Sequence, residues 1–229
     1  MKIMTFNTQH CLNFLTQKID YEIMAKTIKE CGADIVGLNE MFDGENGIYG
    51  KQTQRLSALT ELKNHFFARA IYEGVSEYGN GILSSSKIKV AQAIPIPDPS
   101  PKAYTGYYET RVLLRCELEN GYTVLITHFG LNRDEQENAQ RVILENLTDT
   151  KCILMGDFNI EPNDDLLIPI RERMQDTEKY MSGNIKTFPS NEPRIKIDYI
   201  FLSPDIKIKS AEVVNKIASD HRPIIVEIE

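Results

Sequence analysis

Long apolar runs are missing from this 229-residue sequence. None approaches the ~20 residues that a helix needs to cross a bilayer. The opening residues also lack the apolar centre of a signal peptide, because Asn7, Gln9, His10 and Asn13 interrupt it. We therefore expect a cytoplasmic protein with no membrane span.

Cysteine is scarce and tryptophan is absent. The four cysteines form no C-x-x-C pair, which argues against a zinc site or a redox motif. Cys116 and Cys152 lie in apolar runs and are interpreted as small buried side chains. This pattern fits a reducing cytosol.

Positive charge is in deficit. There are 26 Lys and Arg residues against 33 Asp and Glu, so the net charge is -7. Binding along nucleic acid relies on clustered basic residues, so the balance argues against a protein that coats DNA or RNA. An enzyme that touches nucleic acid briefly is still allowed, because an acidic site can owe its charge to metal ligands.

Short apolar runs of strand length recur throughout and are rich in Val, Ile, Thr and Phe. Helical spacing is found in three segments, which are residues 19–30, 52–62 and 135–147. The proline-rich stretch 94–101 and the segment 181–193 are expected to be loops. Many strands and few helices predict an α/β (α+β) fold, with two packed mixed β-sheets flanked by helices in a single domain spanning residues 1–229.

Polar residues stand at the edges of these apolar runs. They follow four of the runs at Asn7, at Asn39 and Glu40, at His128, and at Asp157 with Asn159 two residues later; they open two more at Asp198 and at Asp220 with His221. In a mixed sheet, the end of one strand and the start of an antiparallel neighbour share a rim, so these side chains can converge on one cleft. Each residue alone is better explained as a cap or turn former. Only the joint set indicates an active site.

The chemistry of this set suits a divalent cation. Mg²⁺ prefers oxygen ligands and is usually held by one or two carboxylates with water and substrate phosphate. Glu40 and Asp220 can supply carboxylates, with an amide oxygen from Asn7 or Asn159; Mn²⁺ is an alternative ion. Histidine titrates near neutral pH and can act as acid, base or stabiliser of phosphate charge.

These residues carry a family resemblance. The segments TFNTQ, GLNE, YGNGILSS, ETRVLL, ITHFGLN, MGDFNIEP, KIDYIFLS and SDHRPIIVEI follow one another through nearly the whole chain. In this order the sequence resembles the endonuclease/exonuclease/phosphatase superfamily of magnesium-dependent phosphoesterases. The resemblance implies a four-layered α/β/β/α sandwich.

The resemblance also implies roles for individual residues. Glu40 matches the principal metal ligand, supported by Asn7 and Asp220. Asp157 and Asn159 match the catalytic pair that orients water and phosphate. His221 matches the essential catalytic histidine, with Asp198 as its partner, and His128 matches a second catalytic histidine. Phosphate binding is assigned to Arg111 of ETR and to Asn80. Arg111 is explained almost as well as an exposed strand arginine.

Some positions depart from the family pattern. GLNE replaces the more usual GLQE, so Asn39 is shorter than expected. Asn80 stands where deoxyribonuclease-like members carry a Glu that pairs with the second histidine, so His128 is left with Asn80, Glu109 or no partner. His128 itself, and Met41 after Glu40, point away from abasic-site repair.

The leading hypothesis is therefore a monomeric Mg²⁺-dependent phosphodiesterase or phosphatase acting on a small or lipid-like phosphoester. A DNA or RNA nuclease of the same family is the first alternative, disfavoured by the acidic balance. A non-catalytic phosphoester-binding module is the second, disfavoured because Glu40 and His221 are both present. Loops near residues 94–108 and 181–194 are expected to set the substrate.

Overall fold

The computed structural model describes residues 1–45, 47 and 49–229. Its strands, in chain order, are β1 (Lys2–Asn7), β2 (Leu12–Asn13), β3 (Lys18–Ile19), β4 (Ile35–Asp43), β5 (Asn64–Glu73), β6 (Ser76–Ser84), β7 (Ile88–Pro95), β8 (Val112–Leu118), β9 (Thr123–His128), β10 (Cys152–Asp157), β11 (Gln175–Asp176), β12 (Asp198–Leu202), β13 (Ile208–Val213) and β14 (Ile224–Ile228). The helices are α1 (Tyr21–Cys31), α2 (Gln52–Thr60), α3 (Arg133–Asn146) and α4 (Ile168–Arg173).

Two six-stranded sheets make up most of this structure. The first has the order β13-β14-β1-β4-β6-β5 and the second the order β11-β12-β10-β9-β8-β7. Each contains one parallel pair, β1 with β4 and β9 with β10, and its other pairs are antiparallel. The carboxyl ends of the parallel pairs therefore leave each sheet at one rim.

Three apolar clusters separate four layers. Side chains alternate across each strand, so Ile3 enters the cluster between the sheets while Met4 enters the cluster under α1 and α2. In the second sheet, Ile126 faces the first sheet and Leu125 faces α3 and α4. The prediction of a four-layered α/β/β/α sandwich is confirmed.

The predicted helices are found with small changes in their ends. Helix α1 begins after Asp20, whose carboxylate accepts a hydrogen bond from the Ile23 backbone N–H at 3.1 Å, and ends at Gly32 in the left-handed conformation. Helix α4 was not predicted, because six residues carry too little periodicity. Strand β5 was also missed, since Asn64, His65 and Arg69 interrupt its apolar pattern.

The loops and the cysteines follow expectation closely. Strand β7 takes the first two residues of the proline-rich stretch, and no helix or strand is found between 96 and 111 or between 181 and 193. Cys116 and Cys152 are fully buried, and all four cysteines are free thiols. Among the residues described, no helix is long and apolar enough to cross a membrane.

Candidate active site

The strand register brings the polar run edges together at one rim. Asn7 at the end of β1 lies beside Asn39 in β4. In the second sheet, Asp157 at the end of β10 is flanked by His128 of β9 and by Asp198 at the start of β12. Both sets stand at the carboxyl ends of the parallel pairs, and side-chain hydrogen bonds join them across the gap between the sheets.

Asn39 makes the central link between the sheets. Its side-chain oxygen accepts a hydrogen bond from the Asp157 backbone N–H at 3.0 Å, and its amide donates to the Thr127 carbonyl and to Asn80 Oδ1 at 2.8 Å each. The Asn80 amide in turn donates to the Val112 carbonyl at 3.0 Å. The Asn80 side chain is therefore buried, with both its oxygen and its nitrogen hydrogen-bonded within the protein. In this position it is not available to bind a phosphate.

Asn7 joins two carboxylates. Its amide nitrogen lies 2.9 Å from Glu40 Oε1 and 3.0 Å from Asp157 Oδ2, while its oxygen accepts from the Gln9 backbone N–H. Glu40 itself sits at a bulge of β4, where the register slips between Leu38 and Met41 and φ is +58°. In this arrangement the N–H groups of Asn7 orient the two carboxylates.

Asp157 and Asn159 belong to one tight turn. The Asp157 carboxylate accepts the Asn159 backbone N–H at 2.9 Å, and Asn159 has φ of +51°. The Asn159 side chain donates to the Phe129 carbonyl at 3.0 Å. Phe158 between them is fully buried against Phe129 and Tyr199, so the aromatic ring anchors the turn. Burial raises the pKa of Asp157, and the charge of the nearby His221 lowers it by a smaller amount.

His221 is held by Asp198. Its Nδ1 donates to Asp198 Oδ2 at 2.9 Å, and its Nε2 lies 3.6 Å from Asp157 Oδ2. Burial alone would lower the pKa of His221, but the carboxylates of Asp198 and Asp157 outweigh it and raise the pKa to about 10. The Phe188 ring packs against the imidazole with centroids 4.8 Å apart. The ring is therefore fixed and positively charged at neutral pH.

His128 has the opposite character. Its Nδ1 lies 3.1 Å from Arg111 Nη1, and its Nε2 lies 3.7 Å from Asp157 Oδ2. Burial, Arg111 and His221 all lower its pKa well below the usual range. Arg111 also forms an ion pair with Glu109. The sequence left the partner of His128 open. In the structure that partner is Arg111, which in turn pairs with Glu109, whereas the Asn80 side chain bonds to Asn39 and to the Val112 carbonyl.

Asp220 completes the rim on the side of Glu40. Its carboxylate accepts the Ser219 hydroxyl at 2.9 Å, and its backbone carbonyl accepts the Ser190 N–H at 2.6 Å. It lies close enough to contribute to the raised pKa of both Glu40 and His221. The hydrogen bond to Ser190 also fastens the 181–193 segment to the site.

The donor set fits a hard divalent cation. Glu40 and Asp157 bring carboxylate oxygens into one group of atoms that, with a ring nitrogen of His128, lie within 4.8 Å of one another. Burial, with a smaller effect of Asp220, raises the pKa of Glu40, whose hydrogen bond to the neutral Asn7 amide opposes this only partly. A buried carboxylate in this position gains from a nearby cation, and its oxygens are the ligands that Mg²⁺ prefers.

Lys196 was missed from the sequence. It is buried, donates to the Asp198 carbonyl at 2.9 Å, and lies 3.7 Å from Glu178 Oε2. Burial lowers its pKa to about 8. The sequence signal for Lys196 was its K-x-D spacing to Asp198, which puts both side chains on one side of an extended segment. The E-x-R spacing of Glu109 and Arg111 carried the same information.

Comparison with known proteins agrees with this architecture. The profile of the Endonuclease/Exonuclease/phosphatase family matches residues 4–221, so the chain belongs to this family. Members of the family generally hydrolyse phosphoester bonds with a divalent metal ion. No curated protein sequence gives a significant match.

Several solved structures share the fold. An endonuclease/exonuclease/phosphatase from Beutenbergia cavernae DSM 12333 has a TM-score of 0.84 at 21% identity, over 100% of this chain and 71% of that one. Mannosyl-6-phosphatase Bt3783 from Bacteroides thetaiotaomicron VPI-5482 has 0.77 at 16%, over 100% and 99%. Sphingomyelinase C from Streptomyces griseocarneus has 0.70 at 15%, over 99% and 98%. At these identities the likeness shows the fold alone.

Proposed function

We propose that this chain is a Mg²⁺-dependent phosphoester hydrolase in which water attacks phosphorus in line. The observation that carries the proposal is the position of Asp157. Its Oδ2 accepts a hydrogen bond from Asn7, which also holds Glu40, and lies 3.6 and 3.7 Å from the Nε2 atoms of His221 and His128. A carboxylate, a cationic histidine and a neutral histidine therefore face one space.

Each residue has a chemical part in this proposal. Asp157, whose pKa is raised toward neutrality, accepts the proton of the attacking water. His221, kept protonated by Asp198, stabilises the negative charge that develops on the phosphoryl oxygens. Asn159 orients the water and the phosphate. Mg²⁺ held by Glu40 with Asp220 would supply charge neutralisation on the phosphoryl group.

The rim near His128 supports a small or lipid-like substrate. Tyr107 and Leu131 are 66% and 62% exposed, and Asn132 joins this part of the rim by donating to the Tyr107 carbonyl at 2.7 Å. Exposed apolar and aromatic side chains on this rim suit a ring-bearing or apolar group beside the phosphoester. The names of two relatives in fold, mannosyl-6-phosphatase and sphingomyelinase C, are compatible with this class. The net charge of -7 weighs against nucleic acid.

The remaining parts of the proposal concern setting and assembly. The four free thiols suit a reducing compartment, and we place the enzyme in the cytoplasm. We propose that residues 1–229 act as one catalytic domain and as a monomer.

The test is release of nitrophenol from bis-(p-nitrophenyl) phosphate and from p-nitrophenyl phosphate, with Mg²⁺ or with EDTA. We expect turnover that requires the metal and that His221→Ala lowers by at least about 10²-fold. His65→Ala is the matched control, because His65 is an exposed strand histidine. Preference for one ester separates diesterase from monoesterase, and plasmid nicking at low enzyme concentration would favour a nuclease instead. Turnover unaffected by EDTA or by loss of His221 would refute the proposal.

A further inference from the structure

The contact between Arg111 and His128 determines which imidazole nitrogen carries the proton. Arg111 Nη1 lies 3.1 Å from His128 Nδ1, and both side chains are almost buried. A guanidinium has five N–H donors and no acceptor. The bond therefore forms only when Nδ1 offers its lone pair, and the proton of the ring must then sit on Nε2.

Arg111 is itself held in place. Glu109 forms an ion pair with it, accepts the Tyr107 hydroxyl at 3.1 Å, and donates its backbone N–H to Glu135 Oε1 at 3.0 Å. Glu135 belongs to the first turn of α3. Glu109 therefore holds the guanidinium of Arg111 in place from the side of α3. The same ion pair balances much of the Arg111 charge close to His128.

The two histidines beside Asp157 consequently carry their ring protons differently. Asp198 is an acceptor, so His221 donates from Nδ1. Arg111 is a donor, so His128 accepts at Nδ1 and presents Nε2–H, which lies 3.7 Å from Asp157 Oδ2. This difference comes from the partners alone, since both rings approach the same carboxylate.

We propose that Arg111 is a positioning residue, which fixes His128 as the Nε2–H tautomer so that His128 serves as a hydrogen-bond donor to the substrate and not as a proton-transferring acid. The part of this statement that concerns the substrate rests on the proposed phosphoester hydrolysis. The tautomer itself does not. Direct binding of phosphate by Arg111, the interpretation suggested by the sequence, is the competing account.

The first experiment reads the tautomer directly. Long-range ¹H–¹⁵N correlation spectra of protein with ¹⁵N-labelled histidine distinguish the two neutral tautomers and the cation, and His128→Gln assigns the signal among the four histidines. We expect an unprotonated Nδ1 and a protonated Nε2 in the wild-type protein at neutral pH, in EDTA. Arg111→Met should remove this preference, shifting His128 toward the other tautomer or the cation.

A matched control is available on the same sheet. Arg115 of β8, four residues after Arg111, forms a 2.8 Å ion pair with Glu117. Arg115→Met should leave the His128 spectrum unchanged. If Arg111→Met does not fold, Glu109→Gln replaces it, because it loosens Arg111 while keeping its side chain, and it should broaden or shift the same signal. A wild-type His128 that carries its proton on Nδ1 overturns the proposal, and so does a spectrum unchanged in the folded Arg111→Met protein.

Kinetics separate positioning from phosphate binding. With bis-(p-nitrophenyl) phosphate, a positioning role predicts that Arg111→Met lowers kcat by about 10²-fold with little change in KM, because a transition-state hydrogen bond is lost. A rise in KM with an unchanged tautomer would instead assign Arg111 to phosphate binding and overturn the inference. If no phosphoester is hydrolysed, the proposed function fails while the spectra still decide the tautomer.

Discussion

The side-chain oxygen of Asn39 accepts a hydrogen bond from the backbone N–H of Asp157 at 3.0 Å, across the gap between the two sheets. Asn39 belongs to the first sheet and Asp157 to the second, so this bond fixes the distance between the two halves of the site. The carboxylate of Glu40, next in the chain, is thereby placed within reach of the same Asn7 amide that holds Asp157.

Removing this link should destabilise the fold. Asn39→Leu leaves the Asp157 N–H without its partner, and it removes donors from the Thr127 carbonyl and Asn80. We expect a loss of about 2–4 kcal/mol in the free energy of unfolding. Urea titration in EDTA measures it. Asn64→Leu is the control, since its bonds to the Ser84 and Ser85 carbonyls are 3.2 and 3.3 Å long and partly solvated; equal losses in the two variants would contradict the structural role.

Asp198→Asn should disable His221 while leaving the fold intact. An amide can donate to Nδ1, which reverses the tautomer and removes the charge that raises the pKa of His221. We expect kcat on an aryl phosphodiester to fall by about 10²–10⁴-fold. The comparison is Asp205→Asn, an exposed carboxylate in the turn after β12 that accepts a hydrogen bond from the Ser203 hydroxyl. Near-normal kcat in Asp198→Asn would contradict the role of the pair.

The raised pKa of His221 predicts a pH-dependent contribution to stability. Because its pKa of about 10 in the folded state exceeds the value of about 6.5 for a free imidazole, the contribution is complete below pH ~6.5 and disappears as the pH rises through 10. The difference in unfolding free energy between wild type and His221→Gln should shrink over this range, by up to about 5 kcal/mol. Denaturant titrations in EDTA at several pH values test this. Parallel curves for wild type and His221→Gln would refute the prediction.

Divalent cations should stabilise the protein through Glu40. At a Mg²⁺ concentration near 100 times Kd, linkage gives about 2.7 kcal/mol, or a rise in Tm of about 5–10 °C. Glu40→Gln should lose most of this shift. Without metal it should be no less stable than wild type, because it removes a buried charge beside Asp220.

Glu61→Gln is the matched control for the thermal scans. Glu61 also has a left-handed backbone, with φ of +64° against +58° for Glu40, but it is exposed. It should keep the full response to Mg²⁺. A response retained by Glu40→Gln would place the cation elsewhere.

Gly156→Ala should prevent correct pairing of β9 and β10. Gly156 has φ of +145°, and a Cβ there would stand 1.9 Å from the Thr127 carbonyl oxygen. We expect a loss of more than about 3 kcal/mol or no folding, since backbone atoms cannot yield as a flexible side chain does. Gly74→Ala, at φ of +62° with no atom within 4 Å, should cost about 1–2 kcal/mol. Circular dichroism and thermal unfolding distinguish the two; similar Tm values would contradict the steric argument.

Several features were accessible from the sequence because they depend on local pattern. The apolar runs of β1 and β9 and the helical periodicity of α1 and α3 predicted the layers, and the polar residues at the edges of the apolar runs predicted a shared rim. Short elements such as α4 carried too few residues for a pattern, so they were missed.

The partners of individual side chains could not be obtained this way. The sequence identified Asn39 as a polar residue at a run edge that replaces a longer glutamine, whereas the structure shows that its side chain hydrogen-bonds one sheet to the other. It offered Asn80 for phosphate and left His128 without a certain partner, whereas Asn80 is engaged beneath the rim and Arg111 meets His128. These contacts join residues from 17 to 118 positions apart.

The sequence by itself determined which residues stand at the strand ends, and with them the acidic, amide and imidazole chemistry of the rim. Only the tertiary structure decided how those groups are paired, and hence that His221 is held charged while His128 is held neutral. The reason is physical: a polar residue at the edge of an apolar run is visible along one chain segment, whereas pairing follows from the register and separation of two sheets. That geometry is set by the packing of the apolar core between them.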